Sequence, residues 1–194
     1  MTWNVELVKQ MGSTYADEAL SWGIVGMYAP AMNTHRSPFG GRNFEYFSED
    51  PTLSGLMGAA EVSGMQGEGA YVYAKHYMLN TQDTNRDGAA NWCNEQALRE
   101  VYARPFELAI KTADCTGLMT ELSRIGTSWS SATKALCTEL PRDEWGFTGK
   151  IITDGVGPGG SYYMLPDYAI MAGNDMMLTR ASGDCGYTDT ILKS

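Results

Sequence analysis

The sequence predicts an α/β fold in which helices cover a parallel sheet, and three observations carry that prediction. Helical and strand-like patterns alternate along the chain, about five short apolar runs are bounded by glycine or polar residues, and three of those runs end in charged clusters. Such alternation gives parallel strands joined by right-handed crossovers, and parallel strands deliver their C-terminal ends to one rim. With 194 residues, 43% of them hydrophobic, the chain holds one sizeable core, and residues 1–194 are read as a single domain.

Val5, Val8, Met11, Tyr15 and Ala19 recur at helical spacing, and the run ends before Gly23. Residues 23–28 then read as a strand stopped by Pro30. Residues 33–50 form a long polar and aromatic loop with a Gly40-Gly41 pair, of the kind that carries function. A helix is expected over 52–66 and a strand over 71–76, ending in Lys75-His76. After a second polar loop at 81–92, residues 94–111 give the clearest helix, with Leu98, Val101, Tyr102, Phe106 and Ile110 inward and a kink at Pro105. A strand over 117–120 follows, then a helix around 131–140 that Pro141 ends or bends, then the strand 150–153. Residues 174–178 are the last strand candidate, and Met171, Met176 and Met177 read as core packing beside it.

Charge and composition narrow the function. The 14 Lys and Arg against 23 Asp and Glu give a net charge of −9, with no basic run for a nucleic-acid backbone. No stretch approaches the roughly 18 apolar residues of a membrane span, and Met1-Thr2-Trp3-Asn4-Val5-Glu6 is unlike a signal peptide. The compartment is left open. Cys93, Cys115, Cys137 and Cys185 form no Cys-x-x-Cys pair and, beside only His35 and His76, suggest free thiols without a metal centre. No cofactor is expected; Gly155-Val156-Gly157-Pro158-Gly159-Gly160 matches a dinucleotide-binding pattern literally, but Asp154 would repel a pyrophosphate and Pro158 lacks an amide donor.

The strongest single position is Asp154, where the β-branched run Ile151-Ile152-Thr153 leaves the core for glycines. A carboxylate there serves either as a reacting group at a strand end or as a turn cap. Lys75-His76, Met119-Thr120-Glu121 and the loop around Arg42 converge on the same rim if the strands are parallel, a polar set suited to a polyhydroxylated ligand. Each also has an ordinary reading: Arg42 as a surface ion pair, Lys75 as a solvated strand end, His76 as a hydrogen-bonded core residue.

Gly41-Arg42-Asn43-Phe44-Glu45-Tyr46-Phe47-Ser48-Glu49-Asp50-Pro51 resembles a signature of the family-3 glycoside hydrolases, the β-glucosidase and β-xylosidase group. The resemblance continues in register through Asn33-Thr34-His35-Arg36-Ser37-Pro38, Ala74-Lys75-His76-Tyr77, residues 80–86, Glu95 to Glu107, residues 140–146, Ile152-Thr153-Asp154 and Ala172-Gly173-Asn174-Asp175. It implies a TIM-type (β/α) barrel, here incomplete, without the first strand and without a second α/β sandwich domain. It further implies that Asp154 is the nucleophile of a retaining mechanism, and that Arg42, Lys75, His76 and Met119 bind the sugar. The implied partners are a β-linked glycoside and another copy or a complementing chain that supplies the general acid/base. Gly155 stands where the family has an aromatic residue, and Glu121, Leu122 and Ser123 replace its usual small, aromatic and Asn residues. Two function classes therefore stand: a retaining β-glycosidase of terminal glucosyl or xylosyl residues, and a catalytically silent carbohydrate-binding or structural barrel fragment.

Overall fold

The computed structural model describes residues 2–156 and 164–179. Helix α1 (Val5–Ser21) starts at Asn4, whose Oδ1 accepts the Leu7 amide at 3.1 Å. The Trp22, Gly23 and Ile24 amides donate back to the Ala19 and Leu20 carbonyls. Closing the helix thus consumes residues expected to open the first strand. Strand β1 is accordingly Gly26–Met27, shorter than the predicted 23–28, and Ile24 and Val25 are exposed.

Helix α2 (Pro51–Gly67) follows the long loop, started by Asp50, whose Oδ1 accepts the Leu53 amide at 2.7 Å, and by Pro51 in the first turn. The predicted strand 71–76 is divided into β2 (Tyr71–Val72) and β3 (Ala74–Tyr77). The second loop carries a short strand β4 (Ala90–Asn91). The predicted long helix is broken: α3 (Glu95–Ala97) widens into a π-helical turn, Leu98–Tyr102, and α4 (Arg104–Ala113) begins anew with Pro105 in its first turn. Proline is tolerated there because a first-turn N–H has no helical acceptor, so the break falls just ahead of it. The inward set is as expected, with Tyr102, Phe106 and Ile110 buried and Leu98 and Val101 packed against them.

After β5 (Gly117–Thr120) come β6 (Arg124–Ile125) and β7 (Ser128–Trp129). The helix expected around 131–140 is instead a 3₁₀ turn, Ser130–Ala132, followed by a π-helix, Ala135–Glu144, that runs through Pro141. Wider winding moves the carbonyl four residues back away from the proline ring, so Pro141 does not end it. Strand β8 (Lys150–Ile152) and helix α5 (Pro166–Ala172) complete the described elements.

The main ladders are parallel, β1 to β2 and β3 to β5 to β8. Chain continuity between β2 and β3, with an Ala31–Lys75 bridge, makes these one wall. The predicted last strand follows β8 only through bridges at Ile152–Met176 and Val156–Thr179. On the outer face of the wall Leu118, Ile151, Val72 and Ala74 pack with Phe106, Met65 and Val62 of the helices. On the other face Met119, Ile152 and Tyr73 form a smaller cluster. Strands β4, β6 and β7 make a separate small sheet next to the strand ends. Met171 lies exposed instead of in the core, because α5 buries the face carrying Pro166, Ala169 and Ala172; Met176, beyond that helix, is also exposed, and Met177 packs against the small cluster that includes Leu122 and Val156. Cys115 and Cys137 are buried and Cys93 is exposed, all three as free thiols; Cys185 and most of the glycine-rich 155–160 motif lie outside the described residues. Among the described residues no helix is long and apolar enough to cross a membrane.

Helices α1 and α2 approach closely through two glycines. A Cβ on Gly12 would lie 2.5 Å from the Glu61 carbonyl oxygen, and one on Gly64 would lie 2.8 Å from the Ser13 amide nitrogen and nearer still to the Lys9 carbonyl. Backbone cannot yield as a side chain does, so Gly64→Ala is expected to cost about 1–3 kcal/mol through overpacking. Gly67→Ala, whose added carbon meets nothing within 4 Å, is expected to be neutral or to stabilise by up to about 1 kcal/mol. Thermal melts of both variants beside the parent chain check the pair; equal melting shifts would refute the close approach.

Candidate active site

The rim is assembled where β3, β5 and β8 end. Asn33, buried just after the Ala31 bridge, fixes the first of these ends: its Nδ2 donates to the His76 and Met78 carbonyls at 2.8 and 2.9 Å, and its Oδ1 accepts the His76 amide at 2.8 Å. One side-chain amide thereby sets the path of the chain through Lys75-His76-Tyr77-Met78. His76 is buried with its Nδ1 unpartnered among the described residues. Burial, and then the positive charges of Arg42, Lys75 and Arg86, hold its imidazole well below the usual histidine range, so the ring is neutral.

Arg42 and Lys75 meet on one carboxylate. The Arg42 Nε donates to Glu45 Oε1, and the Lys75 Nζ lies 3.4 Å from Glu45 Oε2. The 3₁₀ turn Asn43–Glu45 makes this possible by placing Glu45 beside Arg42 three residues earlier. Burial opposes the Arg42 charge, but the Glu45 hydrogen bond and the charges of Glu45, Tyr46 and Asp154 outweigh it and raise its pKa above the ordinary value. That coupling places Arg42 and Asp154 within electrostatic reach of each other. Tyr46 is anchored by the Asn80 Nδ2, which donates to its hydroxyl at 2.7 Å, and burial pushes its pKa up to about 12. A groove of about 570 Å³ opens beside Lys75 and Glu45, walled by Tyr15, Tyr28, Phe44 and Tyr46.

Asp154 follows β8 by two residues and is half-buried, its Oδ1 accepting the Gly155 amide at 2.6 Å. Thr153, between them, uses its hydroxyl to accept the Leu178 amide at 3.1 Å, fixing the strand end. Met119 is buried on the face that also carries Ile152, in contact with that residue and Tyr73. Glu121, one residue past β5, is fully buried. Desolvation dominates its environment and, with repulsion from Asp154, outweighs the Ser123 hydroxyl, the Leu79 amide and Arg86, raising its pKa to about 8.

The structure therefore brings Asp154, Arg42, Lys75 and His76 to one rim, with Met119 packed beneath it. Lys75 is ion-paired, not a freely solvated strand end. Glu45 is a charged member of the rim that sequence reasoning did not single out, although its spacing of three from Arg42 inside a single motif was a readable signal. Arg86, paired with Asp83 at 3.0 Å, is a second missed member, since it contributes to the fields on both His76 and Glu121.

Comparison with known proteins identifies the family to which the fold belongs. Residues 1–189 match the Glycosyl hydrolase family 3 N terminal domain. Beta-glucosidase A of Butyrivibrio fibrisolvens is 36% identical over 193 residues, covering 100% of this chain and 22% of that protein. Beta-glucosidase B of Emericella nidulans is 39% identical over 153 residues, 79% of this chain and 18% of that protein. Beta-glucosidase 3B from Thermotoga neapolitana, solved with glucose, superposes with a TM-score of 0.87 at 37% identity, over 97% of this chain and 25% of that one. The β-glucosidase of Kluyveromyces marxianus, also solved with glucose, gives 0.90 at 32% identity, over 99% of this chain and 22% of that one. The chain thus spans about a fifth of the length of the curated relatives it matches. Its parallel wall is part of a TIM-type barrel, and the chain belongs to glycoside hydrolase family 3, within that family's N-terminal domain.

Proposed function

We propose that this rim is the sugar site of a retaining β-glycosidase acting on terminal β-D-glucosyl or β-D-xylosyl residues. The observation that carries the reading is Asp154 at the end of a parallel barrel strand, in electrostatic reach of Arg42. In the proposed first step an Asp154 carboxylate oxygen bonds to the anomeric carbon as the bond to the leaving oxygen breaks, and that oxygen takes up a proton. In the second, water attacks the same carbon, gives up a proton and releases Asp154, so two inversions retain configuration. The names of the relatives support glucoside chemistry, and xylosides enter only through the family resemblance.

The other residues fall into roles that suit their states. Arg42 and Lys75, held by Glu45, offer fixed donors to sugar hydroxyls. Neutral His76 offers a hydrogen bond without adding a charge near the electron-poor anomeric centre. Met119, under the rim, supports the floor beside Ile152. The proton for the leaving group comes, in this proposal, from a group outside these residues, supplied by a further chain segment or a partner chain. A positioned donor contributes about 10²–10⁴-fold, so this chain alone should favour leaving groups that need no protonation.

Incubation with 2-deoxy-2-fluoro-β-glucosyl fluoride, followed by intact-mass measurement and peptide mapping, is expected to give one adduct, on Asp154. An adduct on another carboxylate, or none with either the glucosyl or the xylosyl reagent, would overturn the assignment. Lys75→Met is expected to lower the labelling efficiency by about 10–100-fold, as expected for loss of a charged hydrogen bond. Glu45→Gln, which releases both cations, should raise the reagent concentration at half-maximal rate more than it lowers the maximal rate. A Glu45→Gln chain with unchanged half-saturation would count against the clamp.

A further inference from the structure

Glu121 has a donor pattern that the glycosidase reading leaves unused. Its backbone is locked from both sides: its amide donates to the Tyr77 carbonyl at 3.2 Å, and its carbonyl accepts the Trp129 Nε1–H at 3.2 Å and the Ser130 hydroxyl at 2.8 Å. Its side chain ends a directional chain of hydrogen bonds. The Thr81 hydroxyl donates to Asn91 Oδ1 at 2.9 Å, Asn91 Nδ2 donates to the Ser123 oxygen at 2.7 Å, and the Ser123 hydroxyl donates to Glu121 Oε2 at 2.6 Å. In this arrangement the Ser123 oxygen accepts from Asn91 and its hydroxyl donates to Glu121, so Oε2 is an acceptor. A proton on this carboxyl therefore sits on Oε1, which is buried and has no hydrogen-bond partner of good geometry among the described residues, the Leu79 amide being the nearby group that favours the anion.

The charged neighbours make the ionised form costly. Asp154 from the end of β8 repels it, Arg86 from the second loop attracts it but is already paired with Asp83 at 3.0 Å, and the Tyr46 hydroxyl of the first loop lies within its field. A bare carboxylate here would have to draw in water or pull Arg86 from its partner, and either moves the rim on which Asp154 stands.

We infer that Glu121 is a positioning residue, a buried carboxylic acid that must keep its proton for Asp154 to be presented correctly, so that alkaline solution switches the site off. The inference rests on the reading of Asp154 as nucleophile. It also has a consequence for stability independent of that reading. Between the ordinary glutamate range and about 8, the folded chain holds a proton that the unfolded chain has released, so stability falls as pH rises through that window and levels off above it.

The test combines a carbon-13 titration of the glutamate side-chain carboxyls with the rate of fluoro-glucosyl labelling, each from about pH 5 to about pH 9. The resonance lost in Glu121→Gln identifies the residue. Its midpoint is expected well above the ordinary glutamate value, lower by about half a unit or more in Asp154→Asn, and higher in Ser123→Ala, which removes the bond favouring the anion. Labelling of the parent chain is expected to fall about tenfold per pH unit above that midpoint, and this limb should vanish in Glu121→Gln whatever the height of its plateau. A midpoint in the ordinary range, one that ignores Asp154→Asn, or an alkaline limb that persists in Glu121→Gln would overturn the inference. Absence of labelling in the parent chain at every pH would sink the nucleophile reading and the switch with it, while the carboxyl titration would still decide whether Glu121 and Asp154 form a coupled pair.

Discussion

The arrangement of this rim depends on one side-chain amide. Asn33 makes three hydrogen bonds to the backbone of residues 76–78 from outside the strand ladder. Each such bond to a buried group contributes only about 1 kcal/mol net, but leaving its partner unsatisfied costs more. The Asn33 contacts therefore act as a constraint on shape more than as a store of stability. They hold His76 below the rim and Lys75 toward the loop, and thereby bring the end of β3 against Glu45 and Tyr46.

Electrostatics then decides the state of each group in a small volume. Glu45 gathers two cations and keeps Arg42 charged against the cost of burial. Those same cations help to keep His76 neutral, so the positive charge of the rim rests on Arg42 and Lys75. Among the described residues Glu121 has no ion pair of its own, and burial together with repulsion from Asp154 raises its pKa to about 8. A rim with fixed donors on one side and Asp154 on the other can bind hydroxyls and still present a carboxylate to an electron-poor carbon.

Much of this was legible from local patterns. The β-branched run before Asp154 read as a buried strand, and the glycines after it marked where the carboxylate leaves the core. The inward face of residues 98–110 was readable for the same reason: Tyr102, Phe106 and Ile110 keep their spacing even though the helix widens between Leu98 and Tyr102. That widening was not readable, because periodicity shows which side is apolar and not how many residues make a turn. Pro141 as a helix end misled for a related reason, its terminating effect being specific to α-helical geometry. At the site, strand-end polar residues announced themselves, whereas the Glu45 clamp required knowing that residues 43–45 coil into a 3₁₀ turn. Glu121 was visible as an extra carboxylate, but its burial follows from β6, β7 and the Trp129 contact, which join residues distant from any motif.

In the proposed mechanism Asp154 forms the bond to the anomeric carbon, and cutting that side chain back while offering a small external nucleophile probes that bond. Asp154→Gly is expected to lose at least about 10³-fold in rate on an activated aryl β-glucoside, with added azide restoring turnover and yielding the α-glucosyl azide. Unchanged hydrolysis in Asp154→Gly, or rescue that gives a β-configured azide, would rule out Asp154 as the nucleophile.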